Sequence, residues 1–291
     1  MSDVIAAPSV RVLAREKGID IEALARDLGR ATIAREDLEG RKAAAPSGDT
    51  SYWEVDHGAY GPVTEEPMSR FAEVASANLA AANALIPQVT HHDRADMTAI
   101  EALRAELKPE AVARGVKLTA LAFHVKALAR TLQAYPRVNA SLSADGKRLI
   151  LKDYVHIGIA VDTAHGLMVP VIRDADRKGL WRIAAEIADL AGRAQARKVR
   201  PDEMGGASMS ISNLGGIGGI GFTPIVNPPE LAILGITRTE TVTVWEAGAP
   251  RPVAMAPLDL SYDHRVINGA DAARFLSHMA ALLGDPRRMM V

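Results

Sequence analysis

Apolar residues recur at helical spacing in several long stretches of the chain. A period of about 3.6 residues places them on one face of a helix, which can then pack against the rest of the protein. The predicted helices cover residues 68–84, 98–107, 118–132, 180–190 and 270–283. The first of them ends at Ile86-Pro87, because the residue before a proline disfavours the helical conformation.

Other stretches have the short, alternating, β-branched character of strands. The predicted strands cover residues 89–97, 148–151, 155–162, 167–172, 208–214, 232–238 and 251–260. The second and third of these strands are separated by a short polar turn, and we expect them to pair as a hairpin. Helices and strands follow each other in mixed order, which favours an α+β fold of two layers with a mixed sheet.

The first forty residues form a small separate unit by their pattern. Residues 10–17, 21–25 and 34–38 are predicted to be short helical segments. Gly18 ends the first segment and Asp20 can cap the second. We expect three parts along the chain: a small all-α unit in residues 1–40, a flexible linker in residues 41–52, and a large domain in residues 53–291.

Composition and charge exclude several classes of function. The 291 residues include 34 basic and 35 acidic side chains, a formal net charge of −1, and no cysteine. This balance argues against nucleic acid or an anionic membrane as the main partner. A chain without cysteine has no disulfide framework, thiolate metal site or cysteine nucleophile. No apolar run approaches the length of a membrane span and no signal-peptide pattern is present, so we expect a cytoplasmic protein.

One histidine lies where chemistry is expected. A predicted strand before His264, a turn at Asn268-Gly269 and a predicted helix from residue 270 place this histidine at a strand-to-helix junction. Imidazole titrates near neutral pH, so a histidine at such a junction can act as a general base. A single histidine beside an arginine is more often structural, and the local pattern alone does not decide between the two roles.

Two other motifs give weaker signals. Residues 215–221 contain a formal Gly-x-Gly-x-x-Gly pattern after a predicted strand, but the prolines in residues 222–229 prevent the helix that dinucleotide binding requires. We therefore expect a close-packed turn there. His91, His92 and Asp93 suggest a metal site, but neighbouring residues of a strand point to opposite faces, so we expect no metal.

Residues 263–269, Asp-His-Arg-Val-Ile-Asn-Gly, resemble the Asp-His-Arg-x-x-Asp-Gly motif of the dihydrolipoamide acyltransferases, the core subunits of 2-oxoacid dehydrogenase complexes. Residues 209–215 and 222–235 resemble further blocks of that family, and the similarity runs with few gaps from about residue 52 to the last residue. The resemblance implies a chloramphenicol-acetyltransferase-like fold. It also implies transfer of an acetyl group between dihydrolipoamide and coenzyme A, as in pyruvate dehydrogenase complexes.

The resemblance implies roles for three residues. His264 is expected to take the thiol proton, Ser212 to donate a hydrogen bond to the oxyanion, and Asn268, which stands where the family usually has Asp, to orient its neighbours. It also implies that the histidine and the serine come from two subunits of a trimer. Transfer of succinyl or branched-chain acyl groups, an antibiotic-type acetyltransferase, and a non-catalytic scaffold remain open.

The N-terminal unit resembles the peripheral subunit-binding domain of the same family in residues 8–20 and 33–38. Arg11 and Arg15 match basic positions with which that domain docks the 2-oxoacid decarboxylase or the dihydrolipoamide dehydrogenase. The glycine-rich loop of the family is replaced by residues 26–32, so its arginine is absent at Thr32. No lipoyl domain stands before this unit, and the lipoyl group is therefore expected from another domain or chain.

The helix predicted before residue 86 departs from the acetyl-transferring relatives. Ala81 and Asn83 stand where those proteins tend to carry an arginine and a tryptophan. If this helix borders a substrate channel, its lining is smaller and more neutral in this chain.

The chain ends in three apolar residues, Met289, Met290 and Val291, after two arginines. An apolar terminus needs a place to be buried. An internal groove of the same subunit would serve. The resemblance favours insertion into a pocket on an adjacent trimer, which would close trimers into a larger symmetric core.

Overall fold

The computed structural model describes residues 4–16, 19–38, 53 and 55–289. Contacts divide the chain into two compact units, Met1–Pro67 and Met68–Val291. The predicted linker, residues 41–52, lies outside the described residues. None of the helices in the described ranges combines the length and the apolar character needed to cross a lipid bilayer.

The first unit is built from short elements around a small apolar core. They are β1 (Ile5–Ala6), α1 (Pro8–Glu16), α2 (Ile21–Leu28), β2 (Thr32–Ile33) and a 3-10 turn at Arg35–Asp37. Asp20 caps α2 as expected, because its Oδ1 accepts the backbone N–H of Glu22 at 2.9 Å. The three helical segments are confirmed, and a parallel pair of two-residue strands, β1 and β2, joins them.

The second unit alternates helices and strands. Its elements in chain order are α3 (Arg70–Leu85), β3 (Gln88–Asp96), α4 (Thr98–Glu106), α5 (Lys108–Ala113), α6 (Ala120–Ala134), β4 (Ala140–Leu142), β5 (Leu149–Leu151), β6 (Ile157–Ile159), β7 (Val161–Thr163), β8 (Gly166–Met168), β9 (Val171–Ile172), α7 (Leu180–Gln195), β10 (Met209–Asn213), β11 (Ala232–Ile236), β12 (Glu240–Glu246), β13 (Ala249–Asp263) and α8 (Gly269–Gly284). Each helix of at least nine residues has its counterpart among the sequence predictions.

The central sheet is mixed, which confirms the α+β prediction. Its strands stand in the order β12-β13-β11-β10-β6-β9, and β3 pairs with β13 as well. The pairs β6–β10 and β10–β11 are parallel, whereas β13 runs antiparallel to β11, β12 and β3. The 15-residue β13 pairs with β12 through its first half and with β3 and β11 through its second half. This long strand ends at Asp263, immediately before His264.

Helix α6 lies at the centre of the core. Ten of its residues are buried, so it packs on more than the single stripe that its apolar spacing predicts. The buried Lys126 satisfies its ammonium group with the backbone carbonyls of Asp176 and Lys178, at 3.0 and 2.9 Å. Burial lowers the pKa of this lysine. Helices α4, α7 and α8 all pack against α6, which accounts for the burial of so many of its residues.

One predicted pairing is wrong. Strand β5 pairs with β4 rather than with the next strand along the chain. The stretch predicted as one strand over residues 155–162 is divided into β6, which pairs with β10 and β9 of the central sheet, and β7, which forms its own hairpin with β8. Non-local partners in the sheet decide these pairings, so the short polar turn between residues 151 and 155 does not reveal them.

Candidate active site

The turn that follows β13 is closely held by backbone hydrogen bonds. The Asp263 N–H donates to the carbonyl of Leu231 at 2.8 Å, and the Asp263 carbonyl accepts the N–H groups of Val266 and Ile267 at 3.1 and 3.0 Å. The Asp263 side chain is buried. This turn presents His264 at the end of the sheet, as predicted from the strand-to-helix junction.

An ion pair between the buried Asp263 and the exposed Arg265 stiffens the same turn. The Arg265 Nε lies 3.0 Å from Asp263 Oδ1, and its Nη2 lies 2.7 Å from Oδ2. Both oxygens of the buried carboxylate are therefore engaged by one guanidinium, which is the fork geometry that fixes direction as well as distance. The hydrogen bond to Asp263 raises the pKa of the Arg265 guanidinium. Since His264 stands between these two residues, its backbone has little freedom.

The imidazole of His264 is exposed, while its backbone is fixed. The backbone N–H of His264 donates to the carbonyl of Pro87 at 3.1 Å, and this bond ties the turn to the segment between α3 and β3. Its ring lies 5.8 Å, centroid to centroid, from the buried ring of Tyr262. Within the part of the chain that the structure describes, no hydrogen bond engages either ring nitrogen. The ring is thus free to exchange a proton with a bound molecule.

Asn268 occupies the position before α8. Its backbone is extended, with φ −87° and ψ 159°, and its side chain makes no capping hydrogen bond to the helix. An asparagine at such a position usually accepts a hydrogen bond from the first turn. Here the exposed carboxamide remains available to another partner, four residues after His264.

Ser212 lies far from His264 within one chain. It pairs with Gly235 of β11, which pairs with Asp259 of β13, and His264 lies five residues past Asp259. Because β11 and β13 are antiparallel, Ser212 is near one end of the sheet and His264 is beyond the other. With about 3.4 Å per residue along a strand and about 4.8 Å between strands, their Cα atoms are about 20 Å apart. One chain does not bring these two residues together.

The glycine-rich run after β10 contains a turn, as predicted, but the run is largely exposed rather than close-packed, since Ile217 and Ile220 are 72% and 84% exposed. Gly219 has a φ of 88°, which favours glycine, and no helix follows within residues 222–229. The turn is fastened to the sheet where the Phe222 N–H donates to Asp259 Oδ2 at 3.1 Å. The Phe222 ring lies over Gly235, where a Cβ would come within 2.7 Å of a ring carbon. Gly235 therefore lets the ring cover the strand beside Ser212.

His92 has a partner on the sheet. Its Nδ1 lies 2.6 Å from Oδ1 of the buried Asp259, which is its neighbour across the pair β3–β13. His91 precedes it on β3 and so points to the opposite face of the sheet. Among the described residues, no three His, Asp or Glu side chains form a group that could hold a metal ion.

A groove of about 1600 Å³ opens against the turn that carries His264. Arg265 lines it, together with α3, the segment after β4 and residues 225–230. Ala81 and Asn83 of α3 are part of the wall, so this helix borders the groove.

A polar cluster that sequence reasoning missed lies in the same wall. Glu230 is buried, and its Oε1 accepts hydrogen bonds from the Ser210 hydroxyl at 2.9 Å and from Asn227 Nδ2 at 3.0 Å. Burial raises the pKa of the Glu230 carboxyl. Nothing in the local pattern marks this cluster, because Ser210 stands 20 residues away in the sequence. A charged residue in an otherwise apolar run before β11 was the available signal.

The two arginines expected to dock a partner, Arg11 and Arg15, lie on α1. Arg11 donates from Nη2 to the carbonyl of Val4 at 2.6 Å and lies 3.9 Å from the carboxylate of Glu22. Its side chain keeps about half of its surface exposed, at 48%. Arg15 belongs to the same helix, and its side chain lies outside the described residues.

The C-terminal prediction needs a correction at Met289. This side chain is fully buried in the core of its own subunit, and its carbonyl accepts a hydrogen bond from Arg130 Nε at 3.3 Å. The side chain that fills an internal site is not free to enter a neighbouring trimer. Met290 and Val291 lie outside the described residues, and the assembly prediction now depends on these two alone.

Comparison with known proteins gives consistent matches. The family model of the 2-oxoacid dehydrogenases acyltransferase catalytic domain matches residues 60–291. The dihydrolipoyllysine-residue acetyltransferase component of the pyruvate dehydrogenase complex of Pseudomonas aeruginosa is 46% identical over 99% of this chain and 55% of its own length. The chain thus spans about half the length of the curated relatives it matches.

Two solved structures are similar to the chain, each with a TM-score of 0.80 and 48% identity over 81% of this chain and 98% of the other. One concerns the role of a serine, a histidine and an asparagine in the catalytic mechanism of the dihydrolipoamide acetyltransferase of Azotobacter vinelandii. The other is the cubic core of the pyruvate dehydrogenase multienzyme complex. The chain belongs to the family of 2-oxoacid dehydrogenase acyltransferases, and residues 60–291 are its catalytic domain.

Proposed function

We propose that this protein transfers an acetyl group between dihydrolipoamide and coenzyme A, as a core subunit of a pyruvate dehydrogenase complex. Three relatives are named as the dihydrolipoyllysine-residue acetyltransferase component of a pyruvate dehydrogenase complex, which supports both the acetyl group and the complex. Coenzyme A and the lipoyl arm are substrates in this proposal. The lipoyl group would be carried by another domain or another chain.

The residues proposed for catalysis are His264, Ser212 and Asn268. In the Azotobacter vinelandii enzyme, 52 positions separate the serine from the histidine and four separate the histidine from the asparagine. The three residues of this chain have the same two spacings. This agreement is the observation that carries the assignment. It also favours Asn268 as a working part of the site, since the relative has an asparagine there as well.

The reaction needs one proton transfer and one oxyanion. His264 takes the proton of the attacking thiol, and the thiolate forms a new bond to the thioester carbonyl carbon. The Ser212 hydroxyl donates a hydrogen bond to the resulting oxyanion, a contribution of about 3 kcal/mol in comparable sites. When the intermediate collapses, the bond to the second sulfur breaks and that thiolate receives the proton back from His264. Charge and atoms balance without any further reactant.

The proposed site is shared between two subunits. His264 and Asn268 follow β13 at one end of the sheet, and Ser212 is near the other end, about 20 Å away by strand geometry. A hydroxyl at that distance cannot bond to an oxyanion formed beside His264. We therefore propose that one copy supplies the histidine and the next copy supplies the serine, in a cyclic trimer.

The remaining parts of the proposal concern partners. The N-terminal residues 1–40 are proposed to dock the decarboxylase or the dihydrolipoamide dehydrogenase through Arg11 and Arg15, with residues 41–52 as the tether to a catalytic domain in residues 53–291. The exposed half of Arg11 supports a docking role. Met290 and Val291 are proposed to join trimers into a larger core, and the cubic core of the similar structure supports such an assembly.

A thioester-exchange assay tests the activity. Purified protein is incubated with free dihydrolipoamide and, in parallel, with acetyl-, succinyl- and isobutyryl-coenzyme A, and the lipoyl thioester is quantified. We expect the acetyl donor to give the highest kcat/KM. Preference for one of the other donors would reassign the acyl group. If the protein assembles but forms no thioester from any donor, it is a non-catalytic scaffold.

A further inference from the structure

The polar cluster in the groove wall fixes the orientation of one amide. Glu230 is 5% exposed, and two donors converge on its Oε1: the hydroxyl of the buried Ser210 and the Nδ2 of Asn227. An ionised carboxylate oxygen accepts from the amide nitrogen and repels the amide oxygen, so the two ends of the Asn227 side chain are not interchangeable while Glu230 is ionised. The Asn227 Nδ2 donates to Glu230 Oε1, and no hydrogen bond among the residues that the structure describes engages the Asn227 Oδ1.

The backbone around Asn227 is held as firmly as its side chain. The Val226 N–H donates to Gln88 Oε1 at 2.7 Å, and the Asn227 carbonyl accepts the Glu230 N–H at 3.0 Å. Asn227 itself is exposed and lines the groove. Because the backbone and the orientation of this exposed amide are already fixed, little conformational entropy is lost when it binds a ligand.

The same groove leads to the proposed catalytic turn, because Arg265 also lines it. Both proposed substrates reach that turn as a thin arm that ends in a thiol or thioester and carries secondary amides along its length. Each amide has an N–H that must find an acceptor when the arm leaves water. The Asn227 Oδ1 is an acceptor of this kind.

We propose that Asn227 is a specificity-determining residue, whose Oδ1 accepts a hydrogen bond from an amide N–H of a thiol-bearing arm in the groove, and that Glu230 is the positioning residue that sets the direction of that amide. This inference rests on the proposed acetyl transfer. Beyond that reaction, it specifies an amide of the substrate arm as a second group that the protein recognises, besides the reacting sulfur.

The test uses substrates that differ in one N–H. For the lipoyl arm, N-methyl dihydrolipoamide is compared with the methyl ester of dihydrolipoic acid. For the coenzyme A arm, the S-acetyl thioester of N-acetylcysteamine is compared with that of 2-acetoxyethanethiol. An oxygen replaces the N–H in the second member of each pair, and the carbonyl and the net charge are unchanged. The ratio of kcat/KM, amide to ester, is measured for each pair.

In the wild-type protein we expect one of the two pairs to show a preference for the amide of about three- to tenfold, the range that one net hydrogen bond gives. The pair that shows it identifies the arm. Asn227→Ala should bring this ratio close to one, because kcat/KM for the amide falls more than kcat/KM for the ester. Gln195→Ala, which removes an exposed amide on α7 outside the groove, is the matched control and should keep the wild-type ratio.

Glu230 is tested by two substitutions. Glu230→Gln keeps an oxygen acceptor for Ser210 and Asn227 and should retain the amide preference. Glu230→Ala leaves the Asn227 amide free to rotate. This variant should lose the preference for the amide substrate, even where the protein remains assembled and turns over the ester. Equal ratios in wild type and Asn227→Ala for both arms would overturn the inference while leaving acetyl transfer in place. Absence of any acetyl transfer by the wild type would instead reject the proposed function, and this inference with it.

Discussion

The shared site makes a strong prediction about mixtures of inactive subunits. His264→Ala removes the proposed base, and Ser212→Ala removes the proposed oxyanion donor. Each variant alone should lose about 10²-fold or more in rate. A subunit with Ser212→Ala still has an intact His264, and a subunit with His264→Ala still has an intact Ser212. If the two groups act across a subunit boundary, a mixed trimer regains complete sites.

The size of the recovery follows from the geometry. Within one chain the two residues lie about 20 Å apart, so each site must draw them from two copies. In trimers assembled at random from equal amounts of the two variants, a site receives an intact histidine in half of the cases and an intact serine in half. About a quarter of all sites are then complete. Purification of doubly tagged trimers removes the two inactive homotrimers, so one site in three is complete and this fraction should show about a third of wild-type activity.

The assay is co-expression with two affinity tags, purification of the doubly tagged particles, and measurement of acetyl transfer to dihydrolipoamide. The matched control pairs His264→Ala with the double variant His264→Ala/Ser212→Ala. That mixture contains no intact histidine and should stay inactive. Doubly tagged trimers that are no more active than the two parents would refute the shared site, because a site within one chain is damaged in every subunit of the mixture.

Three further predictions follow from the proposed roles. Ser212→Ala in all subunits should lower kcat by about 10²–10³ with little change in KM, measured by steady-state kinetics, because the hydroxyl acts on the transition state. Asn268→Asp should keep kcat within a few-fold if the family's usual acid is tolerated, and a large loss would show a site built around the amide. Deleting residues 290–291 should reduce a large particle to trimers that still catalyse, as measured by light scattering. A particle of unchanged size would contradict the assembly proposal.

The deletion stops short of Met289 for a structural reason. This residue is fully buried in the core of its own subunit, and its removal would open a cavity there. Loss of a buried methionine side chain costs about 2–5 kcal/mol of stability. A longer deletion would thus confuse loss of assembly with loss of folding. Sequence reasoning placed Met289 in a neighbouring trimer because the final residues share one apolar pattern, which does not show where the chain turns inward.

Local patterns predicted the elements of the fold better than their pairings. The buried stripe of α6 and the apolar spacing of α7 and α8 are properties of consecutive residues, so the sequence reveals them. The pairing of β5 with β4, and the division of one apolar stretch into β6 and β7, depend on strands that lie elsewhere in the chain. Strand β12 went unpredicted although threonine and valine alternate in residues 241–244, a usual strand pattern, and it pairs with β13 at the edge of the sheet.

The candidate site divides in the same way. His264 and Asn268 lie in one short motif, and their resemblance to a known family was sufficient to find them. The cluster of Ser210, Asn227 and Glu230 is joined only by the folded structure, since the serine is on β10 and the glutamate precedes β11. That Ser212 lies at the opposite end of the sheet from His264 also requires the strand register, which no local pattern supplies.

The central claim is that this protein transfers an acetyl group with His264 as the base. The most direct measurement is the rate of thioester formation from acetyl-coenzyme A and dihydrolipoamide by the wild type and by His264→Ala, with light scattering on both to show the same assembly. We expect transfer by the wild type and a rate lower by about 10²–10⁴-fold in the variant, the usual contribution of a general base. A variant that keeps more than about a tenth of the wild-type rate would contradict the claim.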